Sequence, residues 1–175
     1  YNVQAAQTTA ASCTDCVTGQ YSDQGGQGLC DNCPGGKYQG STGKDDCDSC
    51  GAGKYGDQLS QTTDASCKNC VAGRYSNQGG QGSCTACVAG RYNDQTGQAA
   101  EADCKGCPAD TFNDGTLGGM PSCYNCPPGK HTSGATSSTG VAACVACGGG
   151  KYTHASGGSC KDCAIGQFSV ESRSF

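Results

Sequence analysis

Residues 70–84 read CVAGRYSNQGGQGSC and residues 16–30 read CVTGQYSDQGGQGLC, two copies that each open and close on cysteine. A copy of this kind is either a small unit with its own chemistry or one brick in a row. Working outward, all 18 cysteines fall into nine C-x-x-C pairs: Cys13/Cys16, Cys30/Cys33, Cys47/Cys50, Cys67/Cys70, Cys84/Cys87, Cys104/Cys107, Cys123/Cys126, Cys144/Cys147 and Cys160/Cys163. Their first members lie 17, 17, 20, 17, 20, 19, 21 and 16 residues apart. A spacing this regular marks a repeat array.

The residues after each pair repeat as well. The second cysteine is followed by x-x-Gly-x-aromatic, as TGQY at 18–21, GGKY at 35–38, AGRY at 72–75 and 89–92, and IGQF at 165–168. The aromatics are Tyr21, Tyr38, Tyr55, Tyr75, Tyr92, Phe112, Tyr152 and Phe168. Two copies depart: Asp110 replaces the glycine, and His131 replaces the aromatic. Aspartate tolerates left-handed backbone better than most residues, so Asp110 is expected to keep the turn. The His131 unit is expected to pack least well. YNVQAAQTTAASC at 1–13 aligns without gaps on YGDQLSQTTDASC at 55–67, which makes Tyr1 the aromatic of a unit with no opening cysteine. Residues 1–175 thus read as one continuous array of about nine cysteine-rich repeats of 16–21 residues, with incomplete repeats at 1–13 and 163–175.

Composition sets the fold class. Leu, Ile, Val and Phe together make 14 of 175 residues, about 8% where less than roughly 20% signals a chain that cannot build an ordinary apolar core. Thirty glycines add to the entropy lost on ordering. Cysteine at this density belongs to disulfide scaffolds of oxidising compartments, so an extracellular or cell-surface, secreted protein is expected. No run of 18 apolar residues suggests direct membrane insertion, and a net charge of −4 argues against nucleic acid. No signal-peptide pattern precedes the array, which suggests a mature form or a segment of something longer.

Between each aromatic and the next cysteine lie turn-rich stretches such as SDQGGQG and NDGTLGG. Each unit therefore reads as an extended arm, a turn and a return arm. The expected fold is small and disulfide-rich, an elongated tandem array of short β-hairpin-like loops with little or no helix. The aromatic is expected to lie over the disulfide as the apolar contact of a miniature core. A Lys or Arg precedes it in six units (Lys37, Lys54, Arg74, Arg91, Lys130, Lys151), forming a spaced row if successive units share an orientation. Each unit of such an array is expected to contact only its neighbours in sequence.

Cysteine positions alone do not settle the pairing. The simplest scheme is a ladder: Cys16–Cys30, Cys33–Cys47, Cys50–Cys67, Cys70–Cys84, Cys87–Cys104, Cys107–Cys123, Cys126–Cys144 and Cys147–Cys160. It leaves Cys13 and Cys163 for inter-subunit or out-of-segment bonds. A knotted scheme, first to first and second to second, strands a whole pair because nine is odd. The C-x-x-C-x-x-G-x-Y array resembles the cysteine-rich repeats called ephrin-receptor-like and is similar to the first module of tumour-necrosis-factor-receptor domains. In that module the cysteine before x-x-G-x-Y bonds the next cysteine, so the resemblance implies the ladder.

Other chemistry finds little support. The four cysteines at 13–33 have zinc-ligand spacing, but a zinc array needs pairs of pairs and a reduced compartment. The inner C-x-x-C dipeptides vary freely, without the α/β surroundings that activate redox thiols. His131 and His154 have no partner set for hydrolysis, and the turn loops offer one Asp each where calcium needs several carboxylates. No catalytic residue, cofactor or metal site is therefore expected. The function expected is structural: a disulfide-stapled rod serving as subunit or segment of a fibre, coat or surface appendage. It would associate with neighbouring copies or other extracellular proteins. The alternative is a ligand-binding or adhesive segment of a receptor ectodomain.

Overall fold

The computed structural model describes residues 13–116, 118–153 and 158–169. Among them every strand is two residues long and belongs to one of eight antiparallel hairpins. Arg74–Tyr75 pairs with Thr85–Ala86, and Arg91–Tyr92 with Lys105–Gly106. The other units follow the same plan, from Gln20–Tyr21 with Asp31–Asn32 to Lys151–Tyr152 with Lys161–Asp162. The first strand ends on the repeat aromatic, and the second is the inner dipeptide of the next C-x-x-C. Those dipeptides are mostly solvent-exposed, which explains why they vary so freely.

Eight disulfides close the loops, and units 1 to 8 are numbered by them: Cys16–Cys30, Cys33–Cys47, Cys50–Cys67, Cys70–Cys84, Cys87–Cys104, Cys107–Cys123, Cys126–Cys144 and Cys147–Cys160. Cys13 and Cys163 are free. Units 3, 5 and 7 have the longer loops, with their cysteines 17, 17 and 18 residues apart. Each takes up the extra residues as one 3-10 turn before the closing cysteine, at Asp64–Ser66, Glu101–Asp103 and Val141–Ala143. The N–H groups of Cys67, Cys104 and Cys144 then bond back to the first carbonyl of that turn, at 2.9–3.0 Å.

Sulfur occupies the interior. Cys33, Cys70, Cys107 and Cys126 are fully buried, and Met120 is the one buried apolar residue other than cysteine among those described. The aromatics lie at the edge of this interior. Tyr21, Tyr38, Tyr55, Tyr75, Tyr92, Phe112 and Tyr152 are half-buried, and Phe168 is 84% exposed. The residue after the ring goes deeper: Gln39, Ser76, Asn93, Asn113 and Thr132 are all buried. A polar side chain can sit there because it is fully hydrogen-bonded. Asn113 Nδ2 donates to the Arg91 carbonyl at 2.5 Å, and Asn113 Oδ1 accepts from the Gly115 N–H at 2.9 Å.

Candidate functional site

The surface most heavily worked in this chain is the seam between units, built from three recurring contacts. First, the N–H of the repeat glycine donates to the carbonyl that follows the aromatic one unit on: Gly19 to Gln39, Gly53 to Ser76, Gly73 to Asn93 and Gly90 to Asn113, at 2.7–2.8 Å. Second, the residue after the aromatic donates to the far arm of the next unit, as Gln39 to Gln61, Gly56 to Gln81, and Ser76 to Gln98. Third, a turn residue donates back to the opening cysteine of the previous unit: Gly43 to Cys16, Ser60 to Cys33, Gly80 to Cys50, Gly97 to Cys70 and Ser137 to Cys107, at 2.7–2.9 Å. These are backbone bonds, so the seam tolerates variable side chains.

Contact also reaches the second neighbour, which corrects the expectation of nearest-neighbour contact alone. A Cβ placed on Gly36 would stand 2.3 Å from the Gly80 carbonyl oxygen, two units on. The same holds for Gly53 against Gly97 and Gly90 against Ser137, both at 2.3 Å, and for Gly19 against Ser60 at 2.4 Å. Gly35 faces the Gly56 carbonyl and the Gly82 Cα, so units 2, 3 and 4 meet at one point. The repeat glycine is thus a slot that receives the turn of unit n+2. As at the crowded axis of a collagen helix, a side chain at these glycines would collide with the incoming backbone.

Asp110 fills its own slot. Its φ is +64°, matching the left-handed turn expected for it. Its N–H donates to Thr132 Oγ1 at 2.8 Å, its Oδ1 accepts from the Thr132 N–H at 3.0 Å, and its Oδ2 accepts from Ser159 Oγ at 3.1 Å. One carboxylate therefore ties unit 6 to units 7 and 8. Replacing Asp110 with Ala keeps the strained backbone and leaves the Thr132 N–H without its acceptor. The expected loss is about 2 kcal/mol or more, read from thermal unfolding and from faster amide exchange at Thr132.

The row of cations is engaged within each unit. Lys37 and Lys54 pair with Asp46 and Asp64 of their own loops at 3.2 and 2.9 Å, and Lys151 with Asp162 of its return strand at 2.6 Å. Arg74 and Arg91 donate to the carbonyls of their closing cysteines, Cys84 and Cys104. At the same position Gln20 donates to Asn32 at 3.0 Å. The residue before the aromatic is a clasp across the hairpin, whereas Lys130 makes no ion pair among the described residues. His131 is half-buried like the rings it replaces, its Nδ1 accepting from the Ser133 N–H at 3.1 Å, and it lines an open cavity with Ser133 and Gly134. His154 lies outside the described residues, as does Tyr1. Cys16 and Cys30, two of the four thiols with zinc-ligand spacing, are bonded to each other.

Two further pairs, Lys68–Asp57 and Lys105–Asp94, both at 2.8 Å, sit at the surface. The Lys68 ammonium holds the Asp57 carboxyl below the usual carboxylate range, and Lys105 does the same to Asp94. Carboxylates lowered in this way add stability that is present at neutral pH and lost as pH falls through their folded values. Exposed pairs contribute little, and neither disulfides nor backbone bonds titrate here. At pH 7 the double variant Asp57→Asn with Asp94→Asn is therefore expected to melt within a few degrees of the parent chain. A collapse of its melting curve would show that these exposed pairs matter more than the seam.

At the end of the described array, Cys163 lines an open cavity of about 480 Å³ with Tyr152, Gly166, Gln167, Phe168 and Ser169. Ile165 beside it is fully exposed. At the other end Cys13 is exposed. Among the described residues no helix is long and apolar enough to cross a membrane.

The sequence matches the family described as tyrosine-protein kinase ephrin type A/B receptor-like over residues 4–47 and 56–104, more than half of the chain. No curated protein matches it. The chain belongs to the ephrin-receptor-like family of cysteine-rich repeats, and that family together with eight disulfides points to an extracellular setting.

Proposed function

We propose that this ephrin-receptor-like array is an extracellular structural rod, a subunit or segment of a fibre, coat or surface appendage, and not an enzyme. The observation that carries this is the seam. The backbone bonds and the glycine slot recur along units 1 to 5 although the side chains differ, and in units 6 and 7 the hydroxyls of Thr132 and Thr153 take over as acceptors, so the array lengthens by adding units with little redesign. Its partners are neighbouring copies or other extracellular proteins. Electron microscopy of the native material is the test: filaments or a lattice support the rod, and isolated particles at every concentration overturn it.

A second reading, an adhesive or ligand-binding ectodomain segment, draws on units 6 and 7. Opposite the repeat ring, units 1, 2, 3, 5 and 8 carry a charged residue, Asp31, Asp48, Lys68, Lys105 and Lys161. Units 6 and 7 carry Tyr124 and Val145 there, exposed at 43% and 47%. Tyr124 packs on Phe112 with ring centroids 5.8 Å apart. Aromatic anchors of this kind suit a protein partner.

A further inference from the structure

Glutamine recurs where the turn has no need of it. The third residue after the repeat ring is Gln24, Gln58, Gln78 and Gln95 in units 1, 3, 4 and 5, but Ser41, Gly115 and Gly134 in units 2, 6 and 7. The same hairpin closes in every case, so the fold does not select glutamine there. In units 2 to 6, each with a described unit on both sides, most glutamine side chains are already engaged. Gln39 is buried, donating to the Asp46 carbonyl at 2.8 Å and accepting from the Ser41 N–H at 3.0 Å. Gln58 Oε1 accepts from Gln61 Nε2, and Gln95 Oε1 from Gln98 Nε2, both at 3.1 Å. Gln61, Gln81 and Gln98 are half-buried and lend their carbonyls to the seam. Of these glutamines Gln78 alone is exposed and, among the described residues, without a hydrogen bond to its side chain. Its backbone is anchored: Ser76 Oγ donates to its carbonyl at 3.0 Å, and Gly79 and Gly80 lie against the Cys50 carbonyl of unit 3. A free carboxamide thus projects from a fixed turn into solvent.

We infer that Gln78 is an acyl-donor site for covalent cross-linking, and that its partner is a primary amine, the lysine Nζ of a neighbouring extracellular chain. The agent is a transglutaminase, an acyltransferase with a cysteine nucleophile. Its thiolate adds to Cδ of Gln78, the C–N bond breaks, and the nitrogen leaves as ammonia with a proton from the enzyme, so that a thioester remains. The incoming amine adds to the thioester carbonyl, loses a proton and expels the thiolate. A secondary amide replaces the primary one, and no oxidant is consumed. A carboxamide that accepts a hydrogen bond must give it up before it reacts, which slows Gln58 and Gln95 by about fivefold. The inference goes beyond the rod reading. It requires the extracellular setting and not the filament, so its failure leaves the rod standing.

The test incubates the full, disulfide-intact chain with a purified transglutaminase and dansylcadaverine, a fluorescent primary amine. Peptide mapping by mass spectrometry then locates the label over time. Gln78 is expected to be labelled about fivefold faster than Gln58 or Gln95, and Gln39 not at all. Gln61→Ala keeps the seam carbonyl but removes the donor to Gln58. It is expected to raise labelling of Gln58 about fivefold while Gln95 stays slow, because Gln98 is still in place. An unlabelled Gln78 overturns the site. Equal labelling of Gln58, Gln78 and Gln95 in the parent chain, or no change at Gln58 in Gln61→Ala, overturns the claim that a free carboxamide selects it.

Discussion

Reduction of the eight disulfides is expected to convert this chain from an ordered array into a disordered one, with loss of near-ultraviolet circular dichroism and of protease resistance. Ordering backbone costs about 1–2 kcal/mol per residue, and here no apolar interior offsets it. Among the described residues the buried apolar set is most of the half-cystines plus Met120. A closed loop of about 15 residues stabilises by roughly 3 kcal/mol, chiefly by restricting the unfolded chain. The eight loops, with cysteines 13–18 residues apart, supply the largest stabilising contribution this composition allows. A chain that kept its protease resistance in reductant would have to be held by the backbone seam alone.

A single loop opened by replacing Cys70 and Cys84 with serine separates local from transmitted effects. Unit 4 presents its Gly80 turn to the slot at Gly36 and its own slot at Gly73 to the turn at Gly119. Opening unit 4 is therefore expected to raise amide exchange from unit 2 to unit 6 while units 1 and 8 keep theirs. An array linked only through nearest neighbours would confine the change to units 3–5.

The hairpins were legible because their determinants are local. A fixed Cys-to-Cys spacing, an aromatic at a fixed offset and a turn-rich link between them identify the unit without reference to any other part of the chain. The inner dipeptides, read as merely variable, turned out to be exposed return strands, which is why they vary. What sequence reasoning missed lies between units. Gly36, Gly53 and Gly90 were identifiable as turn glycines, but their second task, receiving a carbonyl from two units on, depends on how the units stack. The basic row misled for a related reason: Lys37 or Arg74 seen alone is a surface charge, and only the closed hairpin brings Asp46 or the Cys84 carbonyl opposite it. Asp110 was correctly read as keeping the turn, yet its bonds to Thr132 and Ser159 join residues 22 and 49 positions apart, which no local pattern announces.

Gly53→Ala is expected to destabilise the array more than any other single glycine-to-alanine change tested beside it. Two costs fall on the same atom. The backbone at Gly53 has φ +78°, where an L side chain costs about 1–2 kcal/mol. The new methyl would also stand 2.3 Å from the Gly97 carbonyl oxygen, a backbone atom held by the Gly97 N–H bond to Cys70 at 2.7 Å. That oxygen cannot swing aside as a side chain would, so relief requires unit 5 to move off unit 3 and the seam bonds between them and unit 4 to weaken. The combined loss is expected to be about 3–5 kcal/mol, in the range of severe core substitutions. Gly129→Ala separates the two costs, because φ there is +77° while no described atom lies within 4 Å of the added methyl. It should lose only the backbone part, about 1–2 kcal/mol, and Gly51→Ala, with ordinary φ and open space, less than about 0.5 kcal/mol. Thermal unfolding of the three variants gives the ordering directly. If Gly53→Ala and Gly129→Ala lose equal stability, the close approach two units on contributes nothing, and the slot is only a turn.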